Sequence, residues 1–122
     1  MLREMRHIRQ NPGEPPRRWF SDDHWDLYIW ERDDEIAGFQ LCYGKDHYQR
    51  ALTWMEGGKP QHTAVDEEPP SRYRAPIMIA DGLMPISEVR ERFMADSTQI
   101  DESIRDYVLR KLDELTEYSA IG

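Results

Sequence analysis

Hydrophobic and polar positions along the chain fall into two regimes. From Arg17 to Asp66, apolar and aromatic residues come in runs of strand length. The polar breaks between them are Ser21-Asp22-Asp23, Asp33-Asp34, Gly44-Lys45-Asp46-His47 and Glu56-Gly57-Gly58-Lys59. The runs Arg17–Phe20, His24–Arg32, Ile36–Tyr43, Tyr48–Met55 and Pro60–Asp66 are rich in Trp, Tyr, Phe, Ile, Leu and Thr and read as strands. Breaks this short force antiparallel neighbours, so the pattern predicts a meander. Residues 67–74 read as a loop, and Pro76–Ala80 as a last short strand closed by Asp81-Gly82. The period then lengthens. Pro85 suits the first position of a helix, and Ile86, Val89 and Phe93 recur at helical spacing. A second helix is expected to start at the cap Asp101, with Glu102 in its first turn. Its apolar stripe is Ile104, Val108, Leu112 and Leu115, flanked by Tyr107 and Leu109.

The pattern thus predicts a single α+β domain over residues 1–122. An N-terminal arm (1–16) ends in Asn11-Pro12-Gly13-Glu14-Pro15-Pro16. An antiparallel meander of four to five strands spans 17–80, and two C-terminal helices (85–118) pack on one of its faces.

Centring the hairpins on Asp33-Asp34, Lys45-Asp46 and Gly57-Gly58 fixes a register, and the period of two sorts side chains by face. One face then carries Tyr28, Trp30, Ala37, Phe39, Leu41, Tyr43, Tyr48, Arg50, Leu52 and Trp54. The other carries Trp25, Leu27, Ile29 and His62 beside the small residues Gly38, Cys42, Ala51, Thr53 and Ala64. A helix approaches a sheet most closely over small residues, so the helices are expected on the second face. A one-residue bulge would swap the faces of every later strand, and Gly57-Gly58 is where one is expected.

On this register the open face is aromatic, with apolar bodies and polar tips, a composition typical of interfaces. Tyr28, Trp30, Tyr43, Tyr48, Arg50 and Trp54 are the candidate partner- or ligand-binding residues. The expected occupant is a second copy of the chain, making a homodimer, with the N-terminal arm or a small apolar or anionic ligand as the other candidates. Arg50 has two readings: an anchor for an anion, or the plainer one of stacking on the rings and pairing with Asp26.

Charge and composition narrow the partners. The chain carries 24 acidic and 16 basic residues, a net charge of −8. Five arginines sit in residues 1–20 (Arg3, Arg6, Arg9, Arg17, Arg18), and the acidic remainder argues against nucleic acid, which needs a clustered cationic face. The single cysteine, Cys42, excludes an internal disulfide and a Cys-rich zinc module and suits a reducing compartment. No apolar run approaches membrane-spanning length and the N-terminus has no signal-peptide core, so no membrane is expected and the location is read as cytoplasmic.

No strong catalytic motif is present, and no cofactor, metal or catalytic residue is expected. His62 and Asp66, four apart in a strand, stand about 13 Å from each other, too far to hydrogen-bond. The plainer reading of His62 is a polar residue satisfied by Thr53. His7, His24 and His47 share no metal-pair spacing. Cys42 has no cationic neighbour or helix N-terminus to activate it and reads as inert packing. The acid runs at Asp22-Asp23, Asp33-Asp34-Glu35 and Asp66-Glu67-Glu68 are turn chemistry. Gly44-Lys45 lacks the rest of a P-loop.

The segments Arg17-Arg18-Trp19-Phe20, Asp26-Leu27-Tyr28-Ile29-Trp30, Gly38-Phe39-Gln40-Leu41-Cys42-Tyr43 and Arg50-Ala51-Leu52-Thr53-Trp54 resemble a family of short, uncharacterised bacterial proteins. Ala80-Asp81-Gly82 also fits. The resemblance spans roughly residues 6–115 and implies strands running into a helical tail. That family has no assigned activity, so it implies nothing about function. The expected function is a small cytoplasmic binding or interaction domain, homo-oligomeric and without catalysis of its own. The alternative is a small-molecule-binding protein or enzyme that uses the aromatic face with Arg50 as anchor.

Overall fold

The computed structural model describes residues 1–6, 10, 12–13, 15–46, 49–64 and 86–121, with the side chains of 63–64 and 116–121 left aside. One antiparallel sheet runs in chain order: β1 (Arg3–Glu4), β2 (Arg17–Ser21), β3 (Trp25–Arg32), β4 (Glu35–Tyr43), β5 (Arg50–Met55) and β6 (Gln61–Ala64). Two helices follow, α1 (Ile86–Asp96) and α2 (Glu102–Ile121). The fold is the expected α+β meander with C-terminal helices. A sixth strand comes from the arm, where β1 pairs with the end of β2. Tyr48, the strand expected at Pro76–Ala80 and the helix-starting Pro85 lie outside the described residues. Among those described, no helix is long and apolar enough to cross a membrane.

The first hairpin turns where expected. Asp33 and Asp34 both have positive φ (54° and 66°), the geometry of a two-residue turn that matches the twist of its strands, and Arg32 pairs with Glu35. Two pairs later the register changes. Glu31 faces Ile36, but Trp30 faces Gly38, leaving Ala37 as the extra residue of a β-bulge. From there to Tyr43 every β4 side chain sits on the face opposite to the one a straight ladder assigns.

Two further offsets follow. β5 pairs Tyr43 with Arg50 and Phe39 with Trp54, two residues out from the expected register, which leaves faces unchanged. β6 pairs Leu52 with His62, an odd offset that returns His62 to the side of Leu27 and Ile29.

The helix-covered face is the expected one on β3 (Trp25, Leu27, Ile29) and at His62 of β6, and is corrected on β4 and β5. The helices cover Phe20, Trp25, Leu27, Ile29, Phe39, Leu41 and Leu52, not the strip of small residues around Gly38, Cys42 and Ala51. Phe93 of α1 stands edge-on to Trp25, and Tyr107 of α2 edge-on to Phe39. The Ile86–Val89–Phe93 and Ile104–Val108–Leu112–Leu115 stripes are buried, as their spacing predicts. Trp25, fully buried, donates its indole N–H to Asp96 at 2.8 Å, fixing β3 to the end of α1. Asp101 caps α2: its carboxylate accepts the Ser103 hydroxyl at 2.8 Å and the Ser103 amide at 2.9 Å, and these bonds, the hydroxyl's first, hold its pKa below the ordinary value. Arg18 bonds Glu4 twice at 2.8 Å and lies 3.8 Å from Asp101, tying the sheet edge to the start of α2.

At Gly38 the β4 backbone leaves no room for a side chain beside β5. A Cβ there would lie 2.6 Å from the Trp54 carbonyl oxygen and 2.9 Å from the Met55 Cα, both backbone atoms that cannot step aside alone. Gly38→Ala is expected to destabilise the domain by about 3 kcal/mol, the upper range for overpacking, as read by urea denaturation.

Candidate functional site

The bulge divides the sequence-predicted site. Tyr28 and Trp30 lie on the outer face of the sheet, while Tyr43, Arg50 and Trp54 lie on the helix side. The expected surface joining them does not exist. Tyr48 is outside the described residues.

The outer face has its own aromatic row, to which the sequence reading did not assign Trp19. Trp19 on β2 stacks on Tyr28 on β3, with ring centroids 5.9 Å apart and planes 8° from parallel, and Trp30 continues the row at 6.3 Å. All three rings are partly exposed. The Arg17 guanidinium lies 5.5 Å from the Tyr28 ring centroid. The signal was partly present: a turn centred on Asp22-Asp23 pairs Trp19 with Asp26, on the same face as Tyr28, and the structure shifts that pairing by two to place Trp19 opposite Tyr28.

At one end of this row, Asp26 is a hydrogen-bond node. It accepts from the Trp19 indole at 2.9 Å, the Ser21 hydroxyl at 2.7 Å and the Lys45 ammonium at 3.2 Å. The pairing of Asp26 with Arg50 is thus corrected: the two are on opposite faces, and Lys45 is the cation beside Asp26. Lys45 also donates to the Ser21 hydroxyl at 3.2 Å, so Ser21, Asp26 and Lys45 form one hydrogen-bonded cluster. Further along, the Gln40 amide donates to the Thr53 hydroxyl at 2.9 Å. Cys42 is buried, and burial, with Asp26 nearby, pushes its pKa up to about 12, which leaves the thiol protonated and inert as expected.

On the helix side, Tyr43 and His62 make a buried pair. Tyr43 Oη and His62 Nε2 are 2.6 Å apart, and the rings are nearly parallel. His62 is thus satisfied by Tyr43, not Thr53. Burial and then the Arg50 charge push its pKa down to about 4, so the ring is neutral, and in the tautomer with Nε2 unprotonated it accepts the phenol proton. Burial raises the Tyr43 pKa to about 12, which suits a phenol that donates. His24, also buried, meets Asp46 at 3.0 Å. Among the described residues, no group of three His, Cys, Asp or Glu side chains is placed to hold a metal ion.

Trp54 belongs to a second feature. Between the sheet and α2 lies a cavity of about 160 Å³ lined by Phe39, Trp54, Pro60, Lys111, Glu114 and Leu115. The Lys111 ammonium sits 4.2 Å from the Trp54 ring centroid.

No family model, curated protein or solved structure matches the chain, so its function is read from its own residues.

Proposed function

We propose that the chain is a small cytoplasmic binding domain, without catalysis of its own, that pairs with a second copy through the outer face of its sheet. The observation that carries this reading is the Trp19–Tyr28–Trp30 row on the face away from the helices. Partly exposed indoles and a phenol supply apolar area at low entropic cost and carry polar tips, of which the Trp19 indole N–H is held by Asp26, the composition of a contact surface. The same patch carries both signs of charge, with Arg17 over Tyr28 and Lys45 beside Asp26. A two-fold interface joins one patch to itself, and a patch with both signs complements its own copy. The N-terminal arginines are poor candidates for nucleic acid, since Arg18 is engaged by Glu4 and Arg17 by Tyr28.

Light scattering across a concentration series tests the proposal. The wild type should approach the mass of two chains, and more readily as salt screens the −8 charge on each. A Tyr28→Ser/Trp30→Ser variant should stay at the mass of one chain with its cooperative melting retained. A wild type that remains a single chain at every concentration, or a double variant that still pairs, overturns the reading.

A further inference from the structure

The cavity between the sheet and α2 has a body and a rim of different chemistry. Its walls are Phe39 and Leu115, both buried, with Trp54 and Pro60 partly so. Its volume, about 160 Å³, is that of a site for one six-membered ring, since a cavity of ~150 Å³ with apolar walls takes up benzene. The rim is charged. Lys111 and Glu114, one turn apart on α2, form an ion pair at 3.4 Å, with Glu114 well exposed. Such a pair is weak and separates readily.

These features restrict the occupant. An anion gains Lys111 but meets Glu114, and a cation gains Glu114 but meets Lys111. A neutral apolar molecule fills the walls and leaves the rim unused. A zwitterion whose ammonium and carboxylate sit on one carbon satisfies both rim groups at once, and that carbon's side chain can enter the cavity. Beside the cavity, though not among its lining residues, is an unsatisfied polar group. The Tyr107 hydroxyl is buried with no hydrogen-bond partner among the described residues, on a ring 5.5 Å from the Lys111 ammonium. Buried hydroxyls in folded proteins are nearly always paired.

We infer that the cavity between β4, β5 and α2 binds a small apolar α-amino acid, with the side chain against Phe39 and Trp54, the carboxylate on Lys111 and the ammonium on Glu114. The site is independent of the outer face and of pairing between copies.

Calorimetric titration of the full chain with L-phenylalanine, phenylacetate and 2-phenylethylamine tests this. The three share a ring and differ in which charge they carry. L-Phenylalanine should bind about tenfold more tightly than either singly charged analogue, the worth of one charge-assisted contact. Glu114→Gln removes an exposed carboxylate and should cut phenylalanine binding about tenfold while leaving phenylacetate at least as tight. Lys111→Met should do the reverse, sparing 2-phenylethylamine. Absence of phenylalanine binding at millimolar concentration overturns the assignment. So does equal binding of all three probes, which would mean a simple apolar hole, or a phenylalanine affinity that neither substitution changes.

Discussion

Deleting Ala37 is expected to leave every β4 side chain on the face it now occupies, at a cost of about 1 kcal/mol. Ala37 is the residue by which β4 outnumbers β3 between the pairs Trp30–Gly38 and Glu31–Ile36. Because of it, Ile36 and Phe39, three apart in sequence, both face the helices. Its removal joins Ile36 to Gly38, and a straight ladder then pairs Glu31 with Ile36, Trp30 with Gly38 and Ile29 with Phe39, the partners already present. Phe39, Leu41 and Tyr43 therefore stay on the helix side, with Leu52 and Trp54 on β5. What is lost is the backbone bond from the Glu56 amide to the Ala37 carbonyl, 2.8 Å, and the local twist of the bulge. The deletion variant should keep its near-ultraviolet dichroism and melt cooperatively within a few degrees of the wild type. A variant without that dichroism would show that the bulge does more than absorb one extra residue.

Acid should unfold the domain earlier than its carboxylates alone require, and His62 should be the cause. The pKa of this ring is about 4 in the folded chain against 6.5 for an ordinary histidine, because burial and then Arg50 disfavour its charge. A base whose folded pKa is depressed binds its proton more readily in the unfolded chain. Its contribution to stability is therefore full above pH 6.5 and falls as pH drops towards about 4. After discounting for the water that still reaches the ring, the loss is about 2 kcal/mol. His62→Gln, which keeps a group able to bond the Tyr43 hydroxyl, should flatten the urea-unfolding profile between pH 6.5 and 4 while costing stability at pH 7. An unchanged profile in the variant would remove His62 from the acid response.

The larger features of the fold were legible from side-chain period and turn chemistry. Asp33-Asp34 sat between two apolar runs and became the turn. The stripes of both helices and the Asp101 cap are where helical spacing put them. Facing was not legible in the same way, because one residue reverses it. The clue was Ile36-Ala37-Gly38-Phe39, where strict alternation breaks across two small residues. A bulge there puts both large flanking side chains on one face and lets Gly38 meet the β5 backbone. Gly57-Gly58 drew attention as the expected bulge because glycine tolerates positive φ, yet the first bulge needed close approach and not an unusual dihedral.

The site was half legible for the same reason. Tyr28 and Trp30 were correctly paired with each other, since neighbours two apart on one strand share a face whatever the register. Trp54 and Arg50 were joined to them across two hairpins, and that inference could not survive the bulge. Trp54 instead packs against α2, where Lys111 lies over its ring. Nothing local in the sequence links Trp54 to Lys111, which are 57 positions apart; only the docking of α2 on the sheet does.

Isotope-filtered nuclear Overhauser spectroscopy on an equimolar mixture of labelled and unlabelled chains reads the contact between copies directly. Cross-peaks between chains should appear at the rings of Trp19, Tyr28 and Trp30, and none at Trp25 or Trp54, which face the helices. Intermolecular cross-peaks confined to Trp54, or none at the outer row in a sample that light scattering shows to be dimeric, would contradict pairing through that face.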